Sequence, residues 1–234
     1  MNNEEFVLEV NKLGIALDEE KLNKLEKFYN LLIEWNEKIN LTTITNKEDV
    51  YLKHFYDSLT LYNEVDLTKN IKLCDVGSGA GFPGIVLKIV FPNLDIVLVD
   101  SLNKRVNYLN EIIKELDLKG IYAVHSRMED FSKEHEEEFD IITARAVANV
   151  KVLAEICVRA LKIDGNLVFM KANVEEEIVN IEHLMVELKL NNFKINKFTL
   201  PIENSNRCLL SFKKFEKTPS KYPRNIDKIK KNSL

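Results

Sequence analysis

Cysteine, glycine and proline are all scarce in this chain, and no apolar run reaches the roughly 20 residues that cross a bilayer. The three cysteines, Cys74, Cys157 and Cys208, are odd in number, far apart and each set in an apolar run. They do not make a disulfide framework and read as buried thiols in a reducing compartment. The four histidines do not cluster, and no Cys/His spacing suits a metal, so no metal is expected. Seven glycines and five prolines in 234 residues exclude a collagen-like or low-complexity chain. The start, MNNEEF, has neither the basic residues nor the apolar stretch of a secretory signal. A soluble cytoplasmic protein with no membrane partner is therefore expected. The net charge of −4 gives no general attraction to polyanions. With 45% hydrophobic residues the chain can fill one large core, and its length suits one domain plus an extension.

The few glycines are concentrated. Four of the seven (Gly77, Gly79, Gly81, Gly84) lie in Asp75-Val-Gly-Ser-Gly-Ala-Gly-Phe-Pro-Gly84, directly behind a strand-like run over 71–76. Glycine is needed where backbone turns sharply or lies against a ligand with no Cβ in the way. Pro83 suits the first turn of a following helix, whose positive dipole end faces the loop. A second strand-like run, 95–100, ends in Asp100, placed where a ribose is gripped by its hydroxyls. These features describe a nucleoside-binding α/β domain. Two ligands fit. Gly79, Gly81 and Gly84 with Asp100 match the dinucleotide pattern. Asp75, Gly77, Gly79 and Gly81 match the acid-x-Gly-x-Gly-x-Gly form of S-adenosylmethionine-dependent methyltransferases. The second is favoured, because Asp75 stands where a dinucleotide site carries an apolar residue and can receive an ammonium group.

The rest of the chain supplies the frame. Phe6, Val10 and Leu13 mark a short helix ended by Gly14, and Leu22 to Ile39 form a long amphipathic stripe. Thr45 and Glu48 form the capping-box pattern of a third helix. From residue 71 strands and helices alternate. Strands are predicted over 71–76, 95–100, 121–125, 139–144, 166–171, 193–200 and 207–213. Helices are predicted over 83–91, 102–117, 150–162 and 174–190. The pattern implies an α/β, Rossmann-like fold: a mostly parallel sheet, helices on both faces, and an antiparallel edge strand from the last hairpin. The division expected is a helical N-terminal extension over 1–66, the Rossmann-like domain over 67–214 and a basic tail over 215–234. Between Lys213 and Lys231 eight residues are basic and two acidic. The tail's composition favours a solvated, partly disordered segment, and it also permits contact with phosphates.

Ligands of such sheets bind at the carboxyl ends of the strands. Asp75 to Gly79, Asp100, Arg127 to Glu129 and Arg145 fall there. Phe82 also fits a core position, Glu129 a helix-start acid, and Arg145 a structural ion pair.

Assembled, these positions resemble the glucose-inhibited division protein B family, methyltransferases of bacterial small-subunit ribosomal RNA. The resemblance runs over most of the chain. It takes in Trp35-Asn36-Glu-Lys-Ile-Asn40-Leu41-Thr42, His54-Phe-Tyr-Asp57-Ser58-Leu59, Asp75 to Gly84, Asp100-Ser101-Leu-Asn-Lys104-Arg105, Ser126-Arg127-Met-Glu129 and Ala144-Arg145-Ala146. Lys221-Tyr-Pro-Arg224 also fits, and the chain departs from the family after it. The resemblance implies methylation of N7 of a guanine in 16S ribosomal RNA, with S-adenosylmethionine as methyl donor. It implies donor contacts at Gly77, Phe82, Met128, Glu129 and Arg145, beside Asp75, Gly79 and Asp100 from the loop itself.

N7 of guanine carries a lone pair and no proton, so this chemistry needs no general base. Arg127, Arg145, Lys171 and Arg207 are the candidates to hold phosphate or guanine O6. In A-form RNA the edge bearing N7 lies in a deep, narrow groove, so the base must be looped or swung out. The partner implied is small-subunit RNA or a 30S-like particle, met by a monomer. A non-catalytic assembly factor that binds S-adenosylmethionine and RNA is the alternative. The N-terminal helices, with Asn36, Asn40 and His54, are expected to shape the cleft, His54 as a hydrogen-bonded structural ring.

Overall fold

The structure, a computed structural model, describes residues 1–234. Helix α1 (Asn3–Lys12) opens on Asn2 and Glu5, which exchange side-chain and backbone bonds, and it buries Phe6 and Val10. Helix α2 (Glu19–Ile39) is capped by Asp18, buries Leu25, Phe28 and Leu32, and stops at Asn40, whose left-handed backbone ends the ladder. The third helical stretch starts one residue later than the capping-box pattern suggests. Asn46, not Thr45, accepts from the N–H groups of Glu48 and Asp49. It runs as α3 (Lys47–Val50), a π-helical segment Tyr51–Tyr56, α4 (Asp57–Leu59) and a 3-10 turn Thr60–Asn63. π-Helical turns are rare and collect at functional sites.

The alternating region follows as β1 (Lys72–Val76), α5 (Gly84–Val90), β2 (Asp95–Asp100), α6 (Asn103–Glu115), β3 (Ile121–His125), α7 (Met128–Glu134), β4 (Phe139–Arg145), α8 (Val150–Cys157), β5 (Leu161–Lys171), α9 (Ile181–Leu188), β6 (Leu190–Thr199) and β7 (Asn206–Lys214). A last helix, α10 (Ile226–Lys231), closes the chain. The seven strands form one sheet in the order β3-β2-β1-β4-β5-β7-β6. β1 to β5 pair in parallel, while β7 runs antiparallel to both β5 and β6. The last hairpin thus makes the antiparallel edge, with β6 outermost. The strand order reverses between β1 and β4, which opens a crevice at their carboxyl ends.

Alternation along the strands sorts side chains into two apolar layers. Leu73, Ile96, Leu98, Val168 and Leu209 face one, which also takes α1, α2, α5, α6 and the π-helical segment. Cys74, Val97, Val99, Ile142, Phe169 and Phe212 face the other, covered by α7, α8, α9 and α10. Each such fully buried large side chain contributes about 1.5–3 kcal/mol, so two filled layers hold the crevice rigid.

Two helices are shorter than their periodicity predicts. Over 174–190 only Ile181–Leu188 is helical: Asn180 just before it is left-handed (φ +58°), and Glu177 turns its carboxylate back to Lys171 and to the Val150 N–H. Over 150–162 the helix ends at Cys157, and β5 begins at Leu161, paired with Phe139. Helix α7 carries no periodic stripe long enough to announce it. The tail is not a solvated segment. Arg224 donates to Glu155, which is fully buried, and Ile229 and Tyr222 enter the second layer. Apolar anchors and one buried ion pair outweigh the charge of the exposed lysines around them.

Candidate functional site

The loop between β1 and α5 is held by backbone donors and two buried carboxylates. The Gly77 N–H donates to Val99 O (2.7 Å), and the Gly79 N–H to Asp100 Oδ2 (2.9 Å). The Gly84 N–H donates to Asp75 Oδ2 (2.9 Å). Gly77 has φ +68° and lies so close to the 146–148 loop that a Cβ on it would stand 2.7 Å from Val147 Cγ2. A Cβ on Gly84 would stand 2.3 Å from Leu98 Cδ2. The residue type is therefore dictated by approach distance at both positions, and at Gly77 by the turn as well.

Asp75 is fully buried, and its Oδ1 has no hydrogen-bond partner. Burial pushes its carboxyl up to about 7, against the Gly84 N–H and Arg145, which favour the anion. Asp100 also holds the loops together. It is buried, and its two oxygens accept from the N–H groups of Gly79 and Leu102. Its observed work is to tie the loop behind β1 to the loop behind β2.

Gly77, Arg127, Met128, Glu129 and Val147 line one small depression at the ends of β1, β2 and β3. Met128 and Glu129 are buried in the first turn of α7, while Arg127 is exposed at its cap. A larger cavity of about 450 Å³ lies at the ends of β4, β5 and β7, roofed by the π-helical segment. Arg145, Lys171 and Arg207 line it with His54 and Asp57. Arg127 is thus separated from the other three basic candidates.

Arg145 is the hub of this second cavity. Its Nη1 donates to Lys53 O (3.1 Å) and Asp57 Oδ2 (3.0 Å), and its Nη2 reaches His54 Nδ1 at 3.2 Å. The guanidinium lies 5.0 Å from the centre of the Phe82 ring, on which His54 stacks at 4.5 Å. Nδ1 of His54 also lies 3.2 Å from Lys53 O, and Nε2 lies 3.0 Å from Thr42 Oγ1, so both ring nitrogens are engaged. Burial, with Arg145 alongside, pushes this imidazole down to about 3 and keeps it neutral. Asn36 Oδ1 accepts from the N–H groups of Leu41 and Thr42, which fixes Thr42 under the ring. His54 is thus the hydrogen-bonded ring expected, and Asn36 shapes the cleft through it.

Asp57 was not singled out as a site residue by sequence reasoning. It is buried and shared: Oδ2 to Arg145 and Oδ1 to Arg207 Nε at 3.3 Å. The only signal for it was its place in His54-Phe-Tyr-Asp57-Ser58. Lys171 does not offer a free ammonium. Glu177 takes it at 3.0 Å, and Ala148 O accepts a further bond, so its charge is spent within the chain.

The family of rRNA small subunit methyltransferase G, GidB, matches residues 21–206. The chain belongs to the GidB family. It is 44% identical over 227 residues to the "Ribosomal RNA small subunit methyltransferase G" of Lysinibacillus sphaericus, covering 96% of this chain and 95% of that one. It is 47% identical over 223 residues to the protein of the same name from Halalkalibacterium halodurans, covering 94% of each. In fold it is similar to a SAM dependent methyltransferase from Aquifex aeolicus, with TM-score 0.51 and 17% identity over 77% of this chain and 97% of that one. GidB membership decides between the two ligands of the glycine loop, in favour of S-adenosylmethionine over a dinucleotide. The GidB loop also fits that group by its own geometry. Gly77 lines the depression with bare backbone, and the buried Oδ1 of Asp75 lacks a cation or donor.

Proposed function

We infer that this chain methylates N7 of a guanine in 16S ribosomal RNA. One observation supports the reading: a recess beside Gly77 and a cavity of about 450 Å³ flank the loop behind β4, Val147 lining the first and Ala146 the second. GidB membership supports a catalyst over a non-catalytic assembly factor. S-adenosylmethionine, when bound, supplies an electrophilic methyl group on a sulfonium. The residues of the chain do the rest. Gly77 admits the methyl donor, Met128 offers an apolar face to its adenine, and Glu129 accepts from the adenine amino group. Asp75 Oδ1 receives the ammonium end, and Phe82 and Arg145 bound the sulfonium side. Asp100 and Gly79 hold the loop in shape.

Arg145 and Arg207 line the acceptor cavity and suit O6 or a phosphate, which leaves N7 free to attack. Arg127, outside that cavity and exposed, suits a backbone phosphate. No residue has to remove a proton, so positioning and a fixed electrostatic field supply the rate. The same reading takes 1–66 as a helical extension on a 67–214 domain, 215–234 as a basic tail, and the active species as a monomer on small-subunit RNA or a 30S-like particle.

The test is a methylation assay with labelled S-adenosylmethionine on small-subunit RNA and particles from a strain lacking this protein, followed by mass mapping. A single 7-methylguanine is expected. Intact binding of S-adenosylmethionine with no label in RNA would reject the reading.

A further inference from the structure

Beside the acceptor cavity lies a second depression of about 260 Å³, and Phe198, Arg207 and Asn173 line both. We propose that this depression takes the nucleobase next to the methylated guanine, stacked on Phe198. The proposal rests on the reading that the larger cavity takes the guanine.

Three observations converge on a base. Phe198 on β6 pairs directly with Arg207 on β7, so ring and guanidinium stand side by side on one face of the sheet. Asp57 and Asn206 O hold that guanidinium through Nε and Nη1, which leaves Nη2 for a ligand. Phe198 is half-buried on the outermost strand, and its ring lines a recess instead of being sealed in the core. An aromatic face beside a fixed guanidinium is the usual platform for an unstacked RNA base.

Charge then separates base from phosphate. Lys197, which also lines the depression, is neutralised by Glu175 at 2.7 Å, and a carboxylate there repels a phosphate but not a base. Asn173 and Asn206 add side-chain amides to the wall, each able to give and to accept a hydrogen bond at a base edge. Because the two recesses share a wall, their occupants are consecutive along one strand. Swinging the guanine out also strips its neighbour of a stacking partner, and the Phe198 ring replaces it.

The test uses the whole chain and small-subunit RNA ligated to carry one abasic residue on either side of the mapped guanine. Phe198→Ala is expected to raise KM for intact RNA about tenfold, the loss of one base–aromatic stack. Calorimetric affinity for S-adenosylmethionine should be unchanged, and Phe198→Tyr should restore KM. Phe198→Leu, which keeps an apolar contact with the core but no π-face, should behave like Phe198→Ala even if the latter perturbs folding. One of the two abasic positions should weaken the wild type about tenfold and Phe198→Leu no further. A wild-type KM in Phe198→Leu, or abasic losses that multiply with the substitution at both positions, overturns the proposal. Failure of the wild type to methylate intact RNA would instead overturn the function proposed above.

Discussion

Replacing Asp75 with Asn keeps the shape of a buried side chain and removes its charge. In the folded protein Asp75 titrates at about 7, and its reference value is 3.8. Between those two values the folded state holds a proton there that the unfolded chain has already lost. Stability contributed by this group is therefore full at low pH, declines from about pH 4 to about pH 7, and stays low above. A difference of roughly three pKa units corresponds to about 4 kcal/mol. The Asn amide sets this against about 1–3 kcal/mol, because its N–H groups replace an oxygen that already lacks a partner. A net gain of about 2 kcal/mol remains at about pH 8, or about 5 °C in Tm for a chain of this size. Near pH 4 the order reverses, since the wild-type carboxyl is then neutral as well. Thermal melts monitored by circular dichroism across this range, without S-adenosylmethionine, measure the crossing. If Asp75→Asn melts below the wild type at both ends of the range, the electrostatic account of the loop is wrong. With S-adenosylmethionine present, the wild type should gain more stability than the Asn variant.

Gly77→Ala places a Cβ 2.7 Å from Val147 Cγ2 at a backbone φ of +68°. It should cut affinity for S-adenosylmethionine more than about tenfold by calorimetry, while adding only about 1–2 kcal/mol of backbone strain. His54→Asn carries an acceptor near Nδ1, and His54→Gln carries its amide near Nε2. If the ring's chief task is to orient Arg145, Asn retains more methylation than Gln, and the reverse ranking assigns the task to Thr42. The wild-type ring, held at about 3, should add no inflection to the pH–rate profile between about pH 5 and about pH 8. Arg224→Ala strands the fully buried Glu155 and should cost about 3–5 kcal/mol, read as a fall of about 10 °C in Tm. An unchanged melt would show that the tail is not docked as described.

Legibility varied with how local each cause was. The glycine turn, the strands over 95–100 and 121–125, and the short and the long N-terminal stripes are written in neighbouring residues, and each is found where the sequence pattern put it. Helix α9 was over-read because its stripe continues through residues ahead of Asn180, whose left-handed backbone interrupts the helix. Lys171 was over-read too: its partner Glu177 is close in sequence, but only the fold turns that carboxylate inward. Asp57 was under-read. It sits in a helical stretch that looks like packing, 88 residues from Arg145.

Residue order alone settled the α/β alternation and the place of the nucleoside-binding turn. These follow from periodicity and from where glycine is tolerated. Folding settled which charges remain free. Insertion of β7 between β5 and β6 carries Arg207 to the roof helix, and the π-helical turn lowers Asp57 and His54 onto Arg145. Ion pairing acts through space over a few ångströms, so no pattern along the chain could say which arginine meets which carboxylate.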